Sequence, residues 1–118
     1  MLIEKPIQIF TKKEEEFIGL LTKTGIPGNG ARTLVYLSEL KSASSHDIEG
    51  GTGLHQPEVS LALKYLAGRG WVQSREVLSE KKGHPVKIWN LTLPWTKILE
   101  SIRNEKQQEQ VTSLRLMI

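Results

Sequence analysis

Cysteine is absent from the 118 residues, which excludes a disulfide framework, a thiolate metal site and a cysteine nucleophile. Apolar runs are short, and none approaches the ~18 residues that a membrane-spanning helix needs. Glu4, Lys5 and Pro6 interrupt the apolar N-terminus, so this segment does not have the pattern of a signal peptide. We therefore expect a soluble, cytoplasmic protein that does not associate with a membrane.

Patterns that support catalysis or metal binding are also missing. His46, His55 and His84 fall in a helix start, a turn and a loop, without the spacing of metal ligands. The glycine-rich segment GIPGNGARTL lacks the Lys-Ser/Thr ending of a phosphate-binding loop. No serine or acid pair stands in a recognisable nucleophile setting. We predict that the protein is not an enzyme, and that it has no catalytic residues, no metal and no cofactor.

The charge is modest in sum but unevenly distributed. The formal net charge is +3, and a chain of this length forms one small domain, with room for an appended helix. Residues 55–90 carry six Lys and Arg against three acids, whereas residues 1–54 carry six against seven. The positive excess therefore lies where a phosphate backbone would need it, although an excess of this size also arises by chance.

The chain is organised around residues 44–71, which predict two helices joined by a glycine-bearing turn. Ser44 and Asp47 form a capping pair that starts the shorter helix, and Gly53 supplies the turn. In the second helix the apolar residues recur at i, i+3, i+4 and i+7, which predicts one buried face. These residues are Val59, Ala62, Leu63 and Leu66. This is the pattern of a helix-turn-helix, whose second helix can enter a DNA major groove.

The first forty residues predict an arm and two scaffold helices. Residues 2–10 are apolar, but their proline argues against a central strand, so we expect an extended arm on the domain or on a partner. The T-x-x-E capping box that starts at Thr11 predicts a helix through Lys23. Residues 25–30 read as a turn-rich break, and a further helix is predicted over residues 31–40.

After Gly70 the hydrophobic period changes from helical to alternating. Residues 71–78 and 86–92 are rich in β-branched and aromatic residues and predict two strands. The loop between them is polar and carries lysines. A hairpin with a basic tip, directly after a helix-turn-helix, predicts a β-wing. Its cations would reach a phosphate backbone or a minor groove, and they are Lys81, Lys82, His84 and Lys87.

The C-terminal segment predicts a long helix that pairs with a second copy of the chain. Residues 95–102 are amphipathic, residues 103–110 are wholly polar, and apolar side chains return after them. Such a helix cannot bury its ends on a small domain behind it, so we predict a homodimer, with a frayed polar tail as the alternative. The predicted dimerisation residues are Trp95, Ile98, Leu99, Ile102 and Leu114.

These elements together predict an α+β, mainly α, fold: a winged helix-turn-helix with a β-hairpin wing and a long C-terminal helix. Residues 1–93 would form the winged-helix DNA-binding domain with its N-terminal arm. Residues 94–118 would form the C-terminal dimerisation helix.

Two stretches carry a resemblance to a known family. TGLHQPEVSLALKYLAGRGWV (residues 52–72) resembles the recognition-helix region of MarR- and TrmB-like winged-helix regulators. KGHPVKIWNLT (residues 82–92) resembles the Gly-Arg-Pro-Val-Lys-x-Tyr-x-Leu-Thr wing pattern of archaeal transcriptional regulators. The likeness covers roughly residues 28–100, and it implies a homodimer that binds short inverted repeats. Two positions depart from the pattern: His84 stands where arginine is frequent, and Leu61 where a polar residue is.

Side-chain chemistry indicates how this region would contact DNA. Gln56 can bond an adenine edge, Ser60 a base or phosphate, and Lys64 a phosphate or guanine. Ser45 and His46, at the start of the preceding helix, would lie near a phosphate. The predicted DNA-binding residues are Ser45, His46, Gln56, Pro57, Ser60, Leu61, Lys64, Lys81, Lys82, His84 and Lys87.

The sequence therefore predicts a sequence-specific, double-stranded-DNA-binding transcriptional regulator that acts as a homodimer. Its recognition helix would enter the major groove, and its wing would contact the backbone or minor groove. The alternative is a winged helix that serves as a protein–protein interaction module in a transcription or replication assembly, which the apolar Leu61 and the modest charge favour. No residue points to an effector ligand.

Overall fold

Five helices and three strands make up residues 9–78 and 83–116, the part of the chain that the computed structural model describes. The helices are α1 (Lys12–Lys23), α2 (Gly28–Ser38), α3 (Ser45–Thr52), α4 (Gln56–Gly68) and α5 (Trp95–Leu116). The strands are β1 (Ala43–Ser44), β2 (Val72–Leu78) and β3 (Pro85–Leu91). The predicted α+β, mainly α, winged helix-turn-helix with a long C-terminal helix is confirmed. Most of the predicted N-terminal arm lies outside the described residues.

The sheet contains the predicted wing hairpin and one strand that the sequence did not reveal. β2 and β3 pair antiparallel from Val72↔Leu91 to Leu78↔Pro85. β1 pairs antiparallel with the other edge of β3, through Ala43↔Trp89 and Ser44↔Ile88. A two-residue strand is too short to show an alternating pattern, so only its partner defines it. Its pairing fixes the start of α3 beside the wing.

Two helices begin at the capping boxes that the sequence predicts. The backbone N–H of Glu14 donates to Thr11 Oγ1 (3.1 Å), and the Thr11 N–H donates to the Glu14 carboxylate (2.8 Å). At the start of α3, the N–H of Asp47 donates to Ser44 Oγ (3.1 Å), and the Ser44 N–H donates to the Asp47 carboxylate (3.0 Å). Each box satisfies two backbone donors that an uncapped helix would leave unpaired.

The start of α2 differs from the prediction. The helix begins at Gly28, in a segment predicted to be a break, and Gly30 lies inside its first turn. Gly30 is buried against α4: a Cβ at this position would lie 3.4 Å from Cδ1 of Tyr65. Glycine has a low helix propensity, and the packing of α2 on α4 stabilises the helix in spite of it.

The turn between α3 and α4 requires a glycine. Gly53 ends α3 with φ +76°, a left-handed backbone conformation that residues other than glycine rarely adopt. Its N–H donates to the carbonyl of Glu49 (3.0 Å), which closes the last turn of α3. The chain can then reverse within two residues and enter α4, so this position fixes the geometry of the helix-turn-helix.

The core lies beneath α4 and includes the first part of α5. All four residues of the predicted apolar face of α4 are buried: Val59, Ala62, Leu63 and Leu66. Two predicted dimerisation residues join this core, since Ile98 is 0% exposed and Ile102 is 7% exposed. This corrects their predicted assignment: both side chains are already buried within the protomer, which leaves them no surface to offer a partner.

The other predicted dimerisation residues divide between the domain and solvent. Trp95 packs edge-on against Phe17 of α1, with ring centroids 5.8 Å apart, and Leu99 is partly buried against the core. Leu114 is 63% exposed. Every residue from Arg103 to Leu116 is exposed, so the second half of α5 projects from the domain. No described helix has both the length and the apolar character needed to cross a lipid bilayer.

Candidate nucleic-acid interface

The outward face of α4 consists of the residues that the sequence predicts to contact DNA. Because Val59 and Leu63 point into the core, the opposite side of the helix is left to solvent. The structure exposes all five predicted contacts on this helix: Gln56, Pro57, Ser60, Leu61 and Lys64. Their spacing of three and four residues gathers them on one surface, which is free for a ligand.

A hydrogen bond orders the first turn of this face. Nε2 of Gln56 donates to Oγ of Ser60 at 3.0 Å. The bond joins residues four apart, and it leaves one amide N–H and the carbonyl oxygen of Gln56 free for other partners. Lys64 follows one turn later, and within the described residues it forms no ion pair. The face thus combines an oriented amide, a hydroxyl and an uncompensated cation.

Glu58 is turned away from this face toward the start of its own helix. Its side chain is half-buried, and Oε1 accepts a long hydrogen bond from the backbone N–H of His55 (3.5 Å). A carboxylate is stabilised at this position because the helix N-terminus is positive. The acid is therefore held at the start of α4, beside the exposed face and not on it.

The first residues of α3 lie beside the wing. Ser44 pairs with Ile88 in the sheet, so Ser45 and His46 follow immediately after a residue that is joined to β3. The His46 side chain is 89% exposed, and its Nδ1 lies 3.8 Å from the carboxylate of Glu49. Because the Glu49 carboxylate lies beside the imidazole, this position has no net positive charge to offer. Ser45 and His46 can instead offer hydrogen bonds to a phosphate.

The wing contributes fewer uncompensated cations than the sequence suggests. Lys87 is exposed, but it stands directly opposite Glu76 in the hairpin, and directly opposed side chains share one face of a sheet. The two side chains form no ion pair within the described residues, so the carboxylate offsets the charge of Lys87 only by its position across the strand. His84 is exposed beside the loop. The predicted contacts Lys81 and Lys82 lie outside the described residues.

Arg75 is a cation of the wing that the sequence-based list of contacts omits. It is exposed on β2 and stands opposite Ile88, on the other face of the hairpin from Lys87. In the described part of the chain it has no acidic partner within ion-pair distance. The alternation of residues 71–78 placed Arg75 on one face of the strand, but only the register shows that its neighbour across the strand is apolar.

The arrangement of α3, the turn, α4 and the β2–β3 hairpin defines a winged helix-turn-helix. No family model matches the chain, and no curated protein is similar to it in sequence. Solved structures do share its fold. A possible transcriptional regulator from Methanosarcina mazei Go1 superposes with a TM-score of 0.66 at 13% identity, over 98% of this chain and 92% of its own.

Two further structures extend the comparison. TrmBL2, an archaeal chromatin protein with a novel mode of DNA binding, superposes with a TM-score of 0.68 at 15% identity, over 88% of this chain and 38% of its own. MepR, a transcription regulator of the Staphylococcus aureus efflux pump MepA, gives a TM-score of 0.53 at 18% identity, over 91% and 84%. At such identities the likeness establishes the fold alone, which the three structures share with this chain.

Proposed function

We propose that the protein is a sequence-specific, double-stranded-DNA-binding transcriptional regulator of the MarR- and TrmB-like type, and that it acts as a homodimer. The observation that carries this proposal is the exposed face of α4, where Gln56, Ser60 and Lys64 stand together on the second helix of a helix-turn-helix. In this fold the second helix enters the major groove. The regulators among the structural neighbours support the same class.

Each element of the interface has a role in this proposal. Gln56 and Ser60 bond base edges, and Lys64 neutralises a phosphate or bonds guanine. The N-terminus of α3 lies against the backbone, where its free N–H groups favour a phosphate. Arg75, with the lysines of the wing, holds the flanking backbone or minor groove.

The second half of α5 supports the homodimer in this proposal. Most of the stability of a protein helix comes from the packing of its apolar residues, and residues 103–116 of α5 are exposed throughout. A second copy would cover the apolar residues Val111 and Leu114, which are 43% and 63% exposed. A two-fold dimer would present two α4 helices to half-sites about 34 Å apart, or a multiple of it.

The decisive experiment is selection of bound sequences from a random duplex pool, followed by titration against salt. We expect an enriched inverted repeat, with affinity that falls steeply as salt rises. Lys64→Ala should weaken binding and lower the salt slope by about one. Lys23→Ala is the matched control, because it removes the same charge from the end of α1. No enriched duplex, or binding that salt does not alter, would contradict the proposal.

A second candidate function is a protein-interaction module. Apolar side chains favour it: Leu61 on α4 is 61% exposed, and Leu78 on the wing is 79% exposed. A module of this kind would bind a protein partner through α4 without a salt-sensitive affinity for duplex DNA. The salt titration on duplex DNA therefore separates the two functions, since contacts with DNA phosphates release condensed counterions.

A further inference from the structure

Leu61 is the large apolar side chain that α4 exposes. It is 61% exposed, whereas Val59, Leu63 and Leu66 of the same helix are buried. Solvation of a leucine at this level is unfavourable, and any surface that covers it gains from the removal of apolar area from water. A partner that binds this face therefore needs an apolar feature at the position of Leu61.

The face of α4 consists of two adjacent rows with different chemistry. Gln56, Ser60 and Lys64 are spaced by four residues and form a polar row, whose first two members are joined at 3.0 Å. Pro57 and Leu61 are also four apart and form an apolar row beside it. A matching surface must therefore present polar groups along one line and a small apolar group along the next.

The major-groove edge of an A·T pair has this combination. Adenine presents N7 and its N6 amino group, and thymine presents the C5 methyl, the apolar group of the groove. The polar row matches the adenine edge, and the apolar row matches a methyl. The uncompensated charge of Lys64 complements the phosphates that flank the groove, whereas an apolar groove on a protein would leave it desolvated and unpaired.

We propose that Leu61 is a specificity-determining residue that contacts the C5 methyl group of a thymine in each half-site. This inference rests on the proposed function, and it adds a chemical group that the protein reads. Thymine is distinguished from uracil by this methyl alone, so replacement of thymine by deoxyuridine removes the contact without altering any hydrogen bond. The side chain is solvent-exposed, so its truncation leaves the core intact.

The test uses the full-length protein and its selected duplex, with deoxyuridine substituted for each thymine in turn. We expect one position in each half-site at which the substitution weakens binding about four-fold, the factor expected for one buried methyl-sized group. Leu61→Ala should abolish that discrimination while the salt slope stays unchanged. Leu61→Met should preserve it, because methionine is apolar and of similar volume.

Leu20→Ala is the matched control, since Leu20 is 58% exposed on α1 and lies outside the interface. It should leave the ratio of thymine to uracil affinities unchanged. The inference is overturned if deoxyuridine has no effect at any position, or if Leu61→Ala retains the effect, and in both cases salt-dependent duplex binding still supports the proposed function. Failure to bind any duplex overturns both.

Discussion

Arg69, at the end of α4, is ion-paired with Glu105 of α5, although 36 residues separate them in the chain. The same guanidinium lies 4.4 Å from the centre of the Trp71 ring, within the range of a cation–π contact. Arg69 thus connects the end of the proposed recognition helix to Trp71, the residue before β2, and to the long helix. It is a polar link between the proposed recognition helix and the part of α5 beyond Ile102.

We expect Arg69→Ala to lower the free energy of unfolding more than Glu105→Gln. The pair is partly exposed, with side-chain exposures of 29% and 54%, so the ion pair itself contributes at most ~1 kcal/mol. Arg69→Ala also removes the contact with Trp71, which contributes a further ~0.5–1 kcal/mol. Urea denaturation at one fixed protein concentration measures both changes. Equal losses of free energy for the two variants would contradict a stabilising contact between Arg69 and Trp71.

Gly51 packs against the ring of Tyr36, which leaves no room for a side chain at this position. A Cβ at this position would lie 2.0 Å from Cε1 of Tyr36, whereas a Cβ at the neighbouring Gly50 would meet nothing within 4 Å. Gly51→Ala should therefore destabilise the fold by about 1–3 kcal/mol, since the ring has to move. Gly50→Ala is the control and should stabilise α3 by roughly 0.5–1 kcal/mol. Thermal denaturation distinguishes them, and stabilisation of similar size by both would show that helix propensity rather than packing decides.

Local signals made much of this fold predictable from sequence. The two capping boxes, the buried face of α4 and the hairpin depend on residues close to one another in the chain. The start of α2 was not predictable in this way, because two of its first three residues are glycines and the helix is stabilised by its packing on α4. Tertiary packing there overrides the tendency of glycine to break a helix.

The candidate site shows the same division. The exposed face of α4 follows from its period alone, but the charge of the wing does not. Lys87 faces Glu76 and Arg75 faces Ile88 only because of the hairpin register, which a sequence with a long loop leaves undetermined. The burial of Ile98 was hidden for a related reason: an apolar stripe on α5 is the same whether it packs on its own domain or on a partner.

That register leads to a prediction for the wing. Arg75→Ala should weaken duplex binding more than Lys87→Ala, because Glu76 already offsets the charge of Lys87. We expect Arg75→Ala to lower the salt slope by about one and Lys87→Ala by less. Affinity titrations over a range of salt concentrations measure both slopes. In the double variant Glu76→Gln/Lys87→Ala, the slope should return toward that of the unmodified protein; an unchanged slope would count against the offset.

The carboxyl groups of Glu14 and Glu39 interact with each other, and this interaction makes stability depend on pH. The interaction with Glu39, together with the Thr11 backbone N–H, lowers the pKa of Glu14, and the interaction with Glu14 raises the pKa of Glu39. Stability from Glu39 is thus present when it is protonated and is lost as pH rises through its raised pKa. Stability from Glu14 is lost as pH falls through its lowered pKa.

Glu39→Gln should therefore raise Tm at neutral pH, because the amide donates a hydrogen bond to Glu14 at every pH and removes the repulsion between two carboxylates. The gain should shrink near pH 4, close to the ordinary pKa of glutamate at about 4.3. Glu16→Gln removes the same charge from α1 and serves as the control. A gain from Glu39→Gln that is no larger at neutral pH than near pH 4 would contradict the interaction between the two carboxyl groups.

The projecting half of α5 provides the test of the proposed dimer. Leu114 and Leu116 are both exposed, at 63% and 83%, but a separation of two residues places them on nearly opposite sides of the helix. A second copy that covers Val111 and Leu114 leaves Leu116 outside the contact. Leu114→Asp should therefore dissociate the dimer, whereas Leu116→Asp, which makes the same change on the same helix, should not.

The size of the effect follows from burial. Each buried leucine contributes ~1.5–3 kcal/mol, and a two-fold dimer buries one Leu114 from each protomer. Leu114→Asp should therefore weaken dimerisation by at least about 100-fold. Sedimentation velocity over a range of protein concentrations measures this. The same variant should lose preference for an inverted repeat over a single half-site, because its two α4 helices are no longer held at a fixed spacing. Equal responses to the two substitutions would mean that α5 does not pair through the stripe formed by Val111 and Leu114.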